Sequence, residues 1–596
     1  MTEHANRLEA LRAELKARSL DGFVLPLTDE HMSEYVGAYA GRLAYITGFT
    51  GSAGNGVVLL GKASVFIDGR YTIQAAAELD PALFEHHLFE KYPLLKWTAD
   101  NVPEGGRVGH DPELTTVAWE KAARAAFDAK NIELVALESN PVDAVWHDQP
   151  SEPLAPATAH TADHAGRDAA DKRTEVAAAL KEKRADAAVI TMLDSVAWAF
   201  NIRGSDVMNT PVTHAFAVMH ADETATLFIK ESKVSSELKQ HLGNSVRIEP
   251  RTAFYDTLAS LGTSGKRVLV DPATNNAKVF KTLEDAGAKL VEGQDPCILP
   301  KARKNKTEQQ GSRDAHIRDG AAVSEFLHWL SVEAPKGSVD ELKAVDALWN
   351  FRKKRGGLKD KSFDTISGAG PNGAIVHYRV TKKTNRPLKM DEIFLVDSGG
   401  QYLDGTTDIT RTVIVGTPTD EMKDRFTRVL KGHIAIATAR FPEGTAGMAL
   451  DAMARRPLWD IGCDYDHGTG HGVGSFLAVH EGPQRIAKKG TDVPLEEGMI
   501  LSNEPGYYRE GAYGIRIENL IVVQKVQEKT ERPIFAFENL TWVPIDRNLV
   551  DVNLLDSREL KWLNDYHARV FELIGPLVDD STKEWLQVQT APLMAA

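Results

Sequence analysis

A helix-then-strand opening occurs twice in this chain, about 150 residues apart, and that recurrence constrains the architecture more than any other feature. The first copy begins MTEHANRLEALRAELKARSL, where Leu8, Leu11 and Leu15 form one helical stripe, and runs into the short apolar segment FVLPL. The second begins TEVAAALKEKRADAAVITML at residues 174–193. Tyr45 stands six residues before Gly51-Ser52, and Trp198 stands six before Gly204-Ser205. A period of this length is too long for a solenoid repeat, so the pattern predicts a duplicated α/β domain. Between the copies, SNPVDAVWHDQPSEPLAPATAH (139–160) is rich in Pro, Ala and Ser and reads as a linker. The expected domains are 1–150, 151–300 and 301–596, within the range that 596 residues allow.

Charge narrows the partners. Seventy basic against 84 acidic residues give a net charge of −14, which argues against a nucleic-acid surface. The basic run KARKNK (301–306) reads as a solvated face or linker. Only Cys297 and Cys463 occur, without CxxC spacing, so no disulfide framework is expected and a reducing cytoplasm fits. The N-terminus is charged throughout, unlike a secretory signal, and no run of 18 apolar residues predicts a membrane span.

The chemistry gathers in the third domain, which opens on a helical pattern with Ala322, Val323, Phe326, Leu327 and Leu330 on one face. In EIFLVDSGGQYLDGTTDITRTVIVG (392–416), Asp397 ends one strand and Asp408 precedes the next. Antiparallel pairing would bring the two acids together, and buried carboxylates repel unless a proton or a cation intervenes. As turn residues flanking glycine they would have a simpler explanation. Glu504 ends the apolar strand MILSNE and precedes Pro-Gly. In GIRIENLIVV, alternation places Arg516 and Glu518 opposite Ile515 and Ile517, with Arg516 available as the ion-pair partner of Glu518. The stretch HGTGHGVGSFLAVHEGP (467–483) holds His467, His471 and His480 among five glycines. The spacing of His467 and His471 resembles HExxH, but Gly468, Gly470 and Gly472 disfavour a helix. Glycines there allow close backbone approach and unusual φ values that would aim an imidazole. One histidine beside four carboxylates makes an oxygen-rich donor set suited to Mn²⁺, Co²⁺ or Fe²⁺, with Zn²⁺ possible, and bridging carboxylates indicate two ions. His377, in SGAGPNGAIVHYRVT, and His480 could serve the chemistry or be hydrogen-bonded structural residues.

The ordered set His377, Asp397, Asp408, His467, His471, His480, Glu504 and Glu518 resembles that of the pita-bread metallopeptidases, which include aminopeptidase P, prolidase and methionine aminopeptidase. SFDTISGAGPNGAIVHY, DSGGQYLDGTTDITRT, HGTGHGVGSFLAVHEGP and EPGYY look like the long three-domain cytosolic Xaa-Pro aminopeptidases. So do HMSEYVGAYAGRLAYITGFTGSAG, DGRYTIQAA, SVAWAFNIRGSDVMNTPV and WLNDYHARVFELIG, so the resemblance covers nearly the whole chain. It implies an α/β (α+β) protein with two creatinase-N-like α/β domains followed by a pita-bread catalytic domain, and a homodimer. It also implies two divalent metal ions, Mn²⁺ foremost, on Asp397, Asp408, His471, Glu504 and Glu518.

The implied reaction removes the residue before a penultimate proline. Glu504 would accept the proton of an attacking water, and His377 or His480 would stabilise the carbonyl oxygen. His467 would shape the substrate side, with Trp459, Arg70 and Arg516 also on substrate; for Trp459 and Arg70 a core position and a surface salt bridge are the plainer alternatives. Prolidase, acting on Xaa-Pro dipeptides, is the near alternative, and a non-enzymatic interaction module of the same fold the distant one.

Overall fold

The computed structural model describes residues 2–594. They cluster into two units: the chain up to Thr161 together with Arg167–Ile298, and Ala162–Gly166 together with the chain from Leu299 onward.

The first unit contains the duplication. Helix α1 (Glu3–Ala17) buries Leu8, Leu11 and Leu15 as the periodicity requires, and Thr2 caps it by accepting from the Ala5 amide. Its sheet holds β1 (Gly22–Pro26), β2 (Gly54–Leu59), β3 (Ala63–Ile67), β4 (Glu85–Leu88), β5 (Arg107–His110) and β6 (Glu133–Ala136), in the order β4-β3-β2-β1-β5-β6. In the second copy, α2 (Ala169–Glu182) leads to β7 (Ala187–Ile190), β8 (Ala215–His220), β9 (Ala225–Ile229), β10 (Val246–Glu249), β11 (Arg267–Val270) and β12 (Lys289–Glu292). Their order, β10-β9-β8-β7-β11-β12, repeats the first strand for strand. The parallel and antiparallel pairings repeat as well. Tyr45 and Trp198 lie on corresponding short helices, Arg42–Thr47 and Leu193–Phe200. The 139–160 stretch is not wholly a linker, because Asn140 caps a short helix, Pro141–Val145, that buries Val142.

The second unit opens on α3 (Lys306–Glu333), started by a capping box between Asn305 and Glu308, and α4 (Glu341–Arg355). Ala322, Val323, Phe326, Leu327 and Leu330 are buried along α3. A three-stranded antiparallel sheet follows: β13 (Ile366–Ala369), β14 (Glu392–Ser398) and β15 (Ile409–Val415), with β14 central. Helices α5 (Asp420–Ala437) and α6 (Met448–Trp459) pack together beside the larger sheet. That sheet contains β16 (Arg440–Pro442), β17 (Gly470–Gly472), β18 (Glu481–Ile486), β19 (Ile500–Asn503), β22 (Asn519–Lys525) and β23 (Ile534–Asn539), ordered β16-β23-β22-β19-β17-β18. A hairpin, β20 (Gly506–Arg509) with β21 (Tyr513–Arg516), lies between β19 and β22 in the chain. Among the described residues no helix is long and apolar enough to cross a membrane. Neither Cys297 nor Cys463 is in a disulfide.

Three expectations change. KARKNK is no solvated face: Lys301 and Lys304 are 2% and 3% exposed, and both pair with buried Glu481. GIRIENLIVV is two strands broken at Ile517-Glu518, and Ile515, Arg516, Ile517 and Glu518 are all buried. The glycines of HGTGHG are not in the left-handed region. They are needed for close approach, since a Cβ on Gly470 would lie 2.0 Å from the Ser502 carbonyl oxygen, and one on Gly472 would lie 2.4 Å from that of Glu481.

Candidate metal centre

Antiparallel pairing of β14 with β15 sets Asp397 opposite Thr410, which places Asp408 at the same end of the pair. The turn between the strands is tied down from below. Arg352 on α4 donates to Asp319 on α3 (2.6 Å) and to the Ser398 carbonyl (3.2 Å). Asp319 also accepts from Thr407 Oγ1 (2.7 Å) and the Tyr402 hydroxyl (3.0 Å). All four side chains are buried, so the two acidic strand ends are held by a fully bonded polar network.

The larger sheet supplies the other donors. The His471 amide donates to Ser502 Oγ (2.9 Å), and Ser502 Oγ donates to Glu504 Oε1 (3.1 Å). The Glu504 amide donates to the Thr469 carbonyl (2.8 Å), locking the β19 end to the glycine-rich segment. His471 Nδ1 lies 2.9 Å from the Gly472 carbonyl, an acceptor only, so that nitrogen carries the proton. Nε2 is left with its lone pair, 3.5 Å from both Asp408 Oδ2 and Glu504 Oε1. Glu518 joins through its amide to the Thr410 carbonyl (3.2 Å) and through Oε2, which accepts from Thr410 Oγ1 (2.7 Å). Asp408, His471 and Glu518 each offer a donor atom within 4.8 Å of the others.

Electrostatics show what this cluster lacks. Burial, then the neighbouring Asp397 and Glu504, push the Asp408 carboxyl well above its ordinary range. Burial and then Asp408 do the same to Glu518. Asp397 Oδ1 and Asp408 Oδ1 are buried without a hydrogen-bond partner. Orphaned acceptors among mutually repelling buried acids are what divalent cations would satisfy, and the donor set of carboxylate oxygens and one imidazole nitrogen fits hard or borderline ions.

Arg516 pairs with Asp397 (2.6 Å), where strand alternation had offered Glu518 as its partner. It also donates to the Tyr508 hydroxyl (2.5 Å), Thr410 Oγ1 (3.2 Å) and the Val376 carbonyl (3.4 Å). Tyr508 in turn meets His467 Nε2 at 2.9 Å. His467 Nδ1 bonds the Gly468 carbonyl (2.7 Å) and lies 3.9 Å from Glu504 Oε2. The segment around His467 is held by buried Arg455, which donates to the Tyr465 and His467 carbonyls.

His480 packs edge-on against His471 with ring centroids 4.3 Å apart. His377 follows Val376, on a loop gathered by Glu341: its carboxylate accepts from Ala369 N, Asn372 Nδ2, Tyr378 OH and Arg386 N. Trp459 ends α6 and is 43% exposed, so it is not a core residue. Arg70 belongs to the first unit, where it pairs with Asp68 at 2.7 Å. Thr410, Tyr508, Asp319 and Arg352 escaped the sequence reading, because a hydroxyl or buried ion pair leaves no spacing signature.

Comparison with known proteins defines the class. Residues 310–525 match metallopeptidase family M24, and residues 533–593 match the C-terminal region of that peptidase. Residues 7–144 and 148–308 each match the creatinase/prolidase N-terminal domain. The chain belongs to metallopeptidase family M24, with two such domains ahead of the catalytic one. Probable Xaa-Pro aminopeptidase P of Aspergillus niger is 41% identical over 99% of both chains. Aminopeptidase P2 of Arabidopsis thaliana is 41% identical over 96% of this chain and 86% of its own. The crystal structure of X-prolyl aminopeptidase from Caenorhabditis elegans, described as a cytosolic enzyme with a di-nuclear active site, superposes with a TM-score of 0.95 at 33% identity over the whole of both chains.

Proposed function

We propose that this protein is a metal-dependent aminopeptidase that releases the N-terminal residue from peptides with proline in second position. The observation that carries the chemistry is the meeting of buried Asp408 and Glu518 with half-buried His471 and Glu504, beside orphaned carboxylate oxygens. The substrate class follows from the near-full-length likeness to proteins named for Xaa-Pro cleavage.

Asp397, Asp408, His471, Glu504 and Glu518 would hold two divalent cations, Mn²⁺ being the best fit to so oxygen-rich a set. Such a pair supplies Lewis acidity and a water acidic enough to act near neutral pH. The protein's residues do the rest. His471 presents Nε2 because Gly472 claims its other nitrogen. Glu504, fixed by Ser502, accepts the proton of the attacking water. His377 and His480 donate to the carbonyl oxygen as charge develops there. The amide before proline has no N–H and its nitrogen must be protonated to leave; His377, His480 or Glu504 relays that proton. His467 and Arg516, joined by Tyr508, face the substrate in this reading, with Trp459 and Arg70 as further substrate-binding residues. A cytoplasmic homodimer completes the reading.

The test is cleavage of an Xaa-Pro-Xaa tripeptide against an Xaa-Pro dipeptide by manganese-loaded protein. Tripeptide cleavage with release of the first residue supports the proposal. Cleavage of the dipeptide alone makes the protein a prolidase. Fewer than about one bound divalent ion per chain, with no activation by added Mn²⁺, makes it a non-enzymatic module.

A further inference from the structure

The basic run KARKNK lies where the chain enters the catalytic unit, and its two buried lysines converge on one acid. Lys301 Nζ stands 3.0 Å from Glu481 Oε2, and Lys304 Nζ bonds Glu481 Oε1. The three side chains are 1–2% exposed. Glu481 directly follows His480, and its backbone pairs with Gly472, the residue after His471. The same segment grips a second strand. Lys304 donates its amide to the Gly498 carbonyl (3.1 Å), and Arg303 forms a β-bridge with Met499 immediately before β19, the strand that leads to Glu504.

Two ammoniums on one carboxylate, away from water, are a poor stabilising device, since apolar side chains of similar volume would serve stability as well or better. What directed ions provide and apolar packing does not is a fixed position for the atoms they hold. We propose that Lys301 and Lys304 are positioning residues that act on His480 through Glu481, an ionic latch fixing the His480–Glu481 corner beside His471. The inference rests on the reading of His480 as a group that acts on substrate.

A double-mutant cycle in the full-length, manganese-loaded protein tests it. Glu481→Gln should retain both metal ions and a KM near that of the parent, while kcat falls on the order of tenfold to a hundredfold, as expected when a reacting group is displaced by about 1 Å. In the His480→Ala background the same substitution should cost less than about twofold, because the group it positions is gone. Equal losses in both backgrounds, or a loss that tracks missing metal, would overturn the latch. Should E481Q fail to fold, K301M/K304M/E481L replaces the whole cluster with apolar side chains. It should recover the melting temperature but keep the lowered kcat, and recovery of both would overturn the proposal. An H480A variant as active as the parent would instead refute the role of His480, and a parent inactive on the tripeptide would refute the functional reading itself.

Discussion

Replacing Thr410 by valine removes one hydroxyl at nearly constant volume, and that hydroxyl sits between a cation and an acid of the metal centre. It donates to Glu518 Oε2 at 2.7 Å and accepts from Arg516 Nε at 3.2 Å. A hydrogen bond to a charged group is worth about 1.5–3 kcal/mol net, and here the bond also aims the carboxylate. A loss of about 2 kcal/mol in metal binding corresponds to about 30-fold weaker affinity, inside the roughly 10–100-fold range for groups that orient metal ligands. For a unit of about 300 residues, an unfolding entropy of about 0.6 kcal/mol/K converts the same 2 kcal/mol into a melting temperature lower by ~3 °C. Isothermal titration of Mn²⁺ into chelator-stripped protein, with scanning calorimetry of the loaded form, measures both quantities. Thr410→Ser, which keeps the hydroxyl, should restore most of the affinity. Binding within threefold of the parent and an unchanged melting temperature for T410V would refute the argument.

Three other outcomes are expected. Asp408→Asn should abolish activity and metal binding, yet raise the melting temperature of the metal-free protein, because it removes a buried carboxyl held high by burial, Asp397 and Glu504; metal analysis and calorimetry on one sample check both. In the metal-free protein Asp408 and Glu518 keep their protons to higher pH than their ordinary 3.8 and 4.5, so the folded state binds more protons and its stability falls as pH rises through the raised values. Metal ions favour the ionised forms, so the gain in melting temperature on adding Mn²⁺ should be larger at pH 8 than at pH 6; equal gains would contradict the buried-acid argument. Gly470→Ala, whose Cβ would meet the Ser502 carbonyl at 2.0 Å, should part β17 from β19, costing about 3 kcal/mol with loss of bound metal; unchanged metal content and melting temperature would show that the sheet yields.

Much of the architecture was legible in residue order. The stripe of Leu8, Leu11 and Leu15 became a buried helix face, and the loose likeness of Tyr45 and Trp198 became two sheets with one topology. Both follow from local periodicity, which reports which face of an element is buried whatever it packs against. Charge was less legible. KARKNK resembles any exposed basic run until Glu481, almost 180 residues later, is folded against it.

At the candidate centre the same division holds. Residue types and glycine spacing marked Asp397, Asp408, Glu504 and Glu518, with one histidine of the 467–480 stretch, as candidate metal donors, because acids at the ends of apolar strands are seldom buried without a partner; the choice of His471 came from the family resemblance. Which acid Arg516 neutralises, which nitrogen His471 offers, and what Thr410 orients were decided only by tertiary structure. Each depends on an angle or a distance between chain segments about 100 residues apart, or on a carbonyl that any residue would supply, and linear order carries neither.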